Sequence, residues 1–190
     1  MPSAPQRFGY YRRLSAKDRA IYRRSDAITS LALHDPPRVG LPCDAIEAAL
    51  REDDRRAVQR ASQALSRAVC EDLGVSVVPV RVLARRPADA TGELHGLYER
   101  HEDGRTLIRV WMRTAAHERV VAFRTYLRTL VHELCHHLDY EHLRLADSYH
   151  TRGFFQRESS LVRQLRPAPE TADEGEPRDP SPQLALPGFG

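Results

Sequence analysis

Lysine is nearly absent. Lys17 is the only one in 190 residues, so arginine carries almost all of the positive charge. Such an excess reflects coding preference as readily as recognition of phosphates, and a formal net charge of +3 excludes little. Cysteine is scarce as well. Cys43, Cys70 and Cys135 are an odd, scattered set with no Cys-x-x-Cys. That excludes a disulfide framework and points to a reducing compartment, the cytoplasm. No run of roughly 18 apolar residues is present, so no membrane partner is expected. The N-terminus lacks the apolar core of a secretory signal. No internal repeat is visible. Finally, proline and glycine are missing from Thr114 to Leu145, which leaves that interval free to be helical.

What is present suits one domain with tails, since 41% hydrophobic residues support a modest core. The first 30 residues carry Arg7, Arg12, Arg13, Lys17, Arg19, Arg23 and Arg24 against Asp18 and Asp26. This segment is either a contact for DNA phosphates or a solvated helix face. Residues 1–43 read as a basic arm and short helix, 44–166 as the folded domain, and 167–190 as a Pro- and acid-rich tail expected to be disordered.

Within the domain the apolar period changes along the chain. Ser15-Ala-Lys-Asp18 resembles a helix start, and the helix should run to about Leu33, where Asp35-Pro36-Pro37 stops it. Asp44-Ala-Ile-Glu47 is a capping-box pattern opening a second helix to Leu73, with Gly74 as its C-terminal cap. Val75–Leu83 then reads as a strand with Pro79 in an edge or irregular position, and Glu93–Arg100 and Thr106–Arg113 as two more, joined by an Asp103-Gly104 hairpin signal. Apolar residues at Val120, Phe123, Leu127, Leu130, Val131, Leu134 and Leu138 follow a helical period. The expected class is α+β: N-terminal helices, a small antiparallel sheet, a central helix and a C-terminal helix.

That central helix carries His132-Glu133-Leu-Cys-His136. Residues four apart lie one turn apart on the same face, so His132 and His136 can converge on one metal ion. Glu133 is offset from both and can face a water there, which is the arrangement hydrolytic zinc needs. Cys135, one residue before His136, points off that face toward the core. His137 lies about 100° around the helix from His136, and His142 about 9 Å further along the axis, so neither completes the site. The third ligand must come from chain that has turned back. His150, fourteen residues after His136 and shortly before Gly153-Phe154-Phe155, is the best candidate, with Glu158 and Asp147 as rivals. Asp139 either orients a ligand imidazole or is a surface charge, the commoner case. Tyr149 and Arg152 are candidates for stabilising an oxyanion. The strand Thr106–Arg113 can offer an edge to an extended peptide.

His132-Glu133-x-x-His136, followed by His150-x-x-Gly153-Phe154 and a helix, resembles the SprT-like (Spartan-related) zinc metalloprotease domain family over about Ala45 to Arg166. The layout is also similar to minimal zincin domains. The resemblance implies Zn²⁺ held by His132, His136 and His150, Glu133 as the catalytic residue, and a protein substrate. Its better-known members are linked to DNA-dependent cleavage of proteins crosslinked to DNA. Many members carry a cysteine zinc ribbon after the protease domain, and none follows in this sequence, so DNA contact would fall to the basic N-terminal segment. Gln183-Leu-Ala-Leu-Pro-Gly-Phe189 is similar to bacterial sliding-clamp-binding peptides, which implies a clamp as partner. Two other functions fit the residues: a regulatory peptidase that cleaves one repressor and uses a downstream glutamate as ligand, and a non-catalytic DNA- or clamp-associated protein with structural zinc.

Overall fold

Ser15 caps the first helix, α1 (Ala16–Ala27), its hydroxyl accepting from Asp18 N–H at 3.1 Å. The computed structural model describes residues 8–89 and 92–167. The expected clamp-like end at Gln183–Phe189, and the tail from residue 168 on, lie outside the described residues. Helix α1 stops at Ala27, short of Leu33. Gln164 of the last helix holds the extended segment after it, accepting from Leu33 N–H at 2.9 Å and donating to Leu31 O at 2.7 Å. The Asp-Pro-Pro expected to stop a helix instead starts one, α2 (Pro36–Gly40). Asp35 accepts from Arg38 N–H at 3.2 Å, and Pro36 takes the first helical position, where no N–H is needed.

The single helix expected from Asp44 to Leu73 is two, α3 (Pro42–Arg51) and α4 (Arg55–Asp72). Pro42 opens α3, ahead of the predicted capping box. The break falls where Asp53 takes φ +53° and Asp54 accepts from the N–H groups of Arg56 and Ala57 at 2.9 and 3.0 Å. Gly74, at φ +66°, ends α4 as expected, with Val75 N–H returning to Cys70 O at 2.9 Å.

The strands are β1 (Val80–Arg85), a short ribbon of β2 (Ala88–Asp89) and β3 (Gly92–Glu93), then β4 (Gly96–Arg100) and β5 (Thr106–Arg113). The main sheet has the order β1-β5-β4. It is mixed rather than antiparallel: Val80 pairs Ile108 in parallel, and Tyr98 pairs Ile108 antiparallel. The chain leaves β1 and crosses to the far side before making the β4–β5 hairpin, so β5 is central. The expected role of Thr106–Arg113 as a free edge is therefore corrected. The edges are β1 and β4.

Helix α4 closes the β1 edge with side chains. Gln59 donates to Val80 O at 2.6 Å and accepts from Val82 N–H at 2.7 Å. One turn on, Gln63 accepts from Val80 N–H at 2.8 Å, and Ser66 donates to Val78 O at 2.6 Å. The carboxamides stand in for a neighbouring strand's peptide groups.

Two helices complete the fold, α5 (Phe123–Glu141) and α6 (Arg152–Leu165). Leu127, Leu130, Leu134 and Leu138 of α5 are buried with Val82, Ile108, Val110 and Met112 of the sheet and Ile46, Leu65 and Val69 of α3 and α4. Each such side chain contributes about 1.5–3 kcal/mol, so α5 is fixed by its apolar face and presents the opposite one. The segment before Asp44 adds Leu31, Leu33, Val39 and Cys43 to the same core. Among the described residues no helix is long and apolar enough to cross a membrane.

Candidate metal centre

The polar face of α5 points His132 and His136 toward the chain that returns from its end. His150 comes from that return segment, one residue before the cap of α6. Thr151 provides that cap, accepting from Phe154 N–H at 2.9 Å. The Nε2 atom of His150 lies 3.0 Å from Nε2 of His132 and 3.1 Å from Nε2 of His136. Tetrahedral ligation by imidazoles at about 2.05 Å spaces the nitrogens about 3.3 Å apart, so these separations suit one shared cation. The three histidines are close enough to hold a metal ion.

The opposite ring nitrogens decide which tautomer faces inward. Nδ1 of His132 lies 2.9 Å from Glu158 Oε2, and Nδ1 of His136 lies 2.7 Å from Ser148 Oγ. Ser148 donates its own proton to Asp139 Oδ2 at 2.8 Å, so its oxygen accepts from His136. Both rings then carry their proton on Nδ1 and turn a lone pair on Nε2 toward the centre. Burial first, and then the neighbouring imidazoles of His132 and His150, push His136 down to about 3. Burial and His132 push His150 down to about 4. Near neutral pH both are therefore uncharged, the form that ligates a metal.

Asp139 is not a surface charge. It is fully buried and forms an ion pair with Arg157 at 2.7 Å, and Arg157 is fully buried too. It reaches His136 only through Ser148. Arg157 also donates to Ser25 O at 2.6 Å and Ile28 O at 2.5 Å, tying the end of α1 to this relay. Glu158, the rival third ligand, sits behind His132 with its other oxygen 2.6 Å from Arg128 Nε, a close ion pair. Asp147 accepts from Tyr140 Oη at 3.1 Å and from Ser148 N–H at 2.8 Å.

Glu133 is buried beside the cluster. Burial raises its carboxyl to about 7, against the lowering effects of His132 and of Tyr98 N–H, which donates to it. A Cβ on Gly96 would overlap both Glu133 Oε1 and Thr129 Cγ2, so only glycine lets β4 approach this close. The carboxylate thus sits between the histidines and the open edge of the sheet.

His137, His142 and Cys135 lie off the centre, as their spacing implies. His137 contacts Ser76 O at 2.7 Å and Tyr98 Oη at 3.3 Å, and His142 contacts Leu73 O at 3.3 Å. Cys135 is buried in the core as expected. Tyr149 stacks with Tyr10, and burial and then the nearby carboxylates of Asp147 and Asp18 raise its pKa, so its hydroxyl keeps its proton near neutral pH. Arg152 is exposed at the start of α6.

The basic N-terminal segment has a second role. Gly9–Arg13 forms a short 3₁₀ turn. Within it, Tyr10 Oη donates to His150 O at 2.9 Å. Tyr10 packs on Tyr22 and Tyr149, and Phe8 on Phe155, with ring centroids 6.0 to 6.5 Å apart. Meanwhile Arg12, Arg13, Lys17 and Arg23 are exposed. Sequence reading missed Ser148, Arg157, Gly96 and Tyr10. Only Gly96 carried a signal, an isolated glycine in a strand pattern.

Fold and centre together define a small α+β domain with a three-histidine site built by its central helix and the segment that returns from it. No family model, curated protein or solved structure matches the chain.

Proposed function

We propose that this protein is a zinc-dependent metallopeptidase with His132, His136 and His150 as ligands and Glu133 as general base. The observation that carries the reading is the convergence of three Nε2 atoms at 3.0 and 3.1 Å with a buried carboxylate on the adjoining helix position. When bound, zinc supplies Lewis acidity, lowering the pKa of a water and polarising the scissile carbonyl. Glu133 takes the attacking water's proton and passes it to the leaving amine. Glu158 and Ser148 keep the two helix imidazoles in the ligating tautomer. The open edge of β4 aligns an extended peptide beside Glu133 by strand addition. Proteins bound or crosslinked to DNA are the substrate class favoured by the SprT-like resemblance and the exposed arginines near the N-terminus. A sliding clamp is the partner proposed for Gln183–Phe189.

The test is cleavage of a DNA-bound protein by zinc-loaded protein, with and without single-stranded DNA, beside Glu133→Gln. DNA-dependent cleavage that the variant lacks supports the whole proposal. Cleavage indifferent to DNA keeps the peptidase and moves the substrate to a regulatory protein such as a repressor. For the ligand set, His150→Ala should lose zinc while Glu158→Ala keeps most of it. The reverse would favour a peptidase using a downstream glutamate.

A further inference from the structure

A groove of about 1370 Å³ runs from His132 and Glu133 along the first half of α5 and across α6 to Pro167. Its charges are not equally satisfied. Glu47 is paired with Arg51 at 2.6 Å and Arg166 at 2.8 Å, Glu93 with Arg86 at 3.3 Å, and Glu158 with Arg128 at 2.6 Å. By contrast, Arg124 and Arg163 line the groove, are exposed, and have no ion-pair or hydrogen-bond partner among the described residues. The two stand on facing helices, with Phe123, Leu127 and Val162 giving the groove an apolar lining between them.

We infer that Arg124 and Arg163 form an acid-selective subsite that takes an Asp or Glu side chain of a peptide substrate. This inference rests on the metallopeptidase reading. Register follows from geometry. Arg124 precedes His132 by eight residues, about 12 Å along the helix axis. An extended peptide rises about 3.4 Å per residue, so the acidic residue falls three or four residues from the scissile bond. Gly96 of β4 lies against Glu133 and Tyr98 against His136, so β4 and α5 run in the same direction. A peptide pairing antiparallel with β4 therefore directs its carboxy-terminal side into the arginine end of the groove.

The experiment digests a degenerate peptide mixture with zinc-loaded protein and sequences the products. The expected result is an enrichment of about fivefold for Asp and Glu at the third or fourth position after the cut, the size two exposed ion pairs provide. The enrichment should shrink in 0.5 M salt and invert toward Lys and Arg in Arg124→Glu/Arg163→Glu. Wild-type cleavage with no acidic preference at those positions would overturn the inference and leave the peptidase standing. Absence of all cleavage would instead count against the peptidase. The subsite is then read by binding to zinc-loaded Glu133→Gln, using a fluorescein-labelled octapeptide with two glutamates and its glutamine twin. Tighter binding of the glutamate peptide that the double variant abolishes supports the subsite, and equal binding of the twins overturns it.

Discussion

Strands β1 and β4 bound the same sheet, on either side of β5, and are treated in opposite ways. The outer groups of β1 are taken up by Gln59 and Gln63, and the Val78 carbonyl just before it by Ser66, side chains projecting from one face of α4. No strand covers β4 among the described residues, and its Tyr98 N–H donates to Glu133. A small sheet with two bare edges invites pairing with other chains. Sealing one leaves the edge beside Glu133 and the three histidines as the side on which the proposed peptidase would take an extended peptide.

The largest effect is expected on the open side. Gly96→Ala forces the Glu133 carboxylate to move, and a displacement of about 1 Å in a catalytic group costs on the order of a hundredfold. Peptide turnover should fall by that factor while zinc content, measured by metal analysis, stays at one per chain. The sealed side should respond differently. Gln59→Ala/Gln63→Ala removes hydrogen bonds to buried peptide groups and should lower stability by about 2 kcal/mol in urea titration. Sedimentation should show self-association through the freed edge, with turnover per folded monomer unchanged. If the same pair abolished turnover and left stability intact, the contrast between the edges would collapse.

Smaller effects separate the edge from the ligands beside it. Ser148→Ala removes the acceptor for His136 Nδ1 and should weaken zinc binding about tenfold in a competition titration with a chelator. Tyr10→Phe removes the hydrogen bond to His150 O and should weaken zinc binding about threefold without changing melting of the helices. A Tyr10→Phe protein with unaltered zinc affinity would confine the N-terminal turn to packing.

The helix bearing His132 and His136 was legible because its period and spacing are local, and His150 was legible because a return of fourteen residues is short. Cys135 pointed inward for the same reason of phase. The split of α3 from α4 was hidden because Glu52-Asp53-Asp54 looks like any charged helical turn until Asp54 is seen capping the next helix. The parallel pairing of β1 with β5 depends on where the crossover goes, which no local pattern encodes. Asp139 and Arg157 were hardest to read. A charge eighteen residues from its partner looks solvent-facing, and only packing of α5 against α6 and α1 buries the two together. Removing either partner would strand the other charge in the interior, where the cost is about 3–5 kcal/mol.

On the metallopeptidase reading, the three histidines hold a catalytic rather than a structural metal. Its most direct test measures zinc content and peptide cleavage together in wild type and Glu133→Gln. One zinc per chain is expected in both proteins, with cleavage by wild type and loss of cleavage in the variant. Equal cleavage by both proteins, or a wild type that binds no zinc, would contradict it.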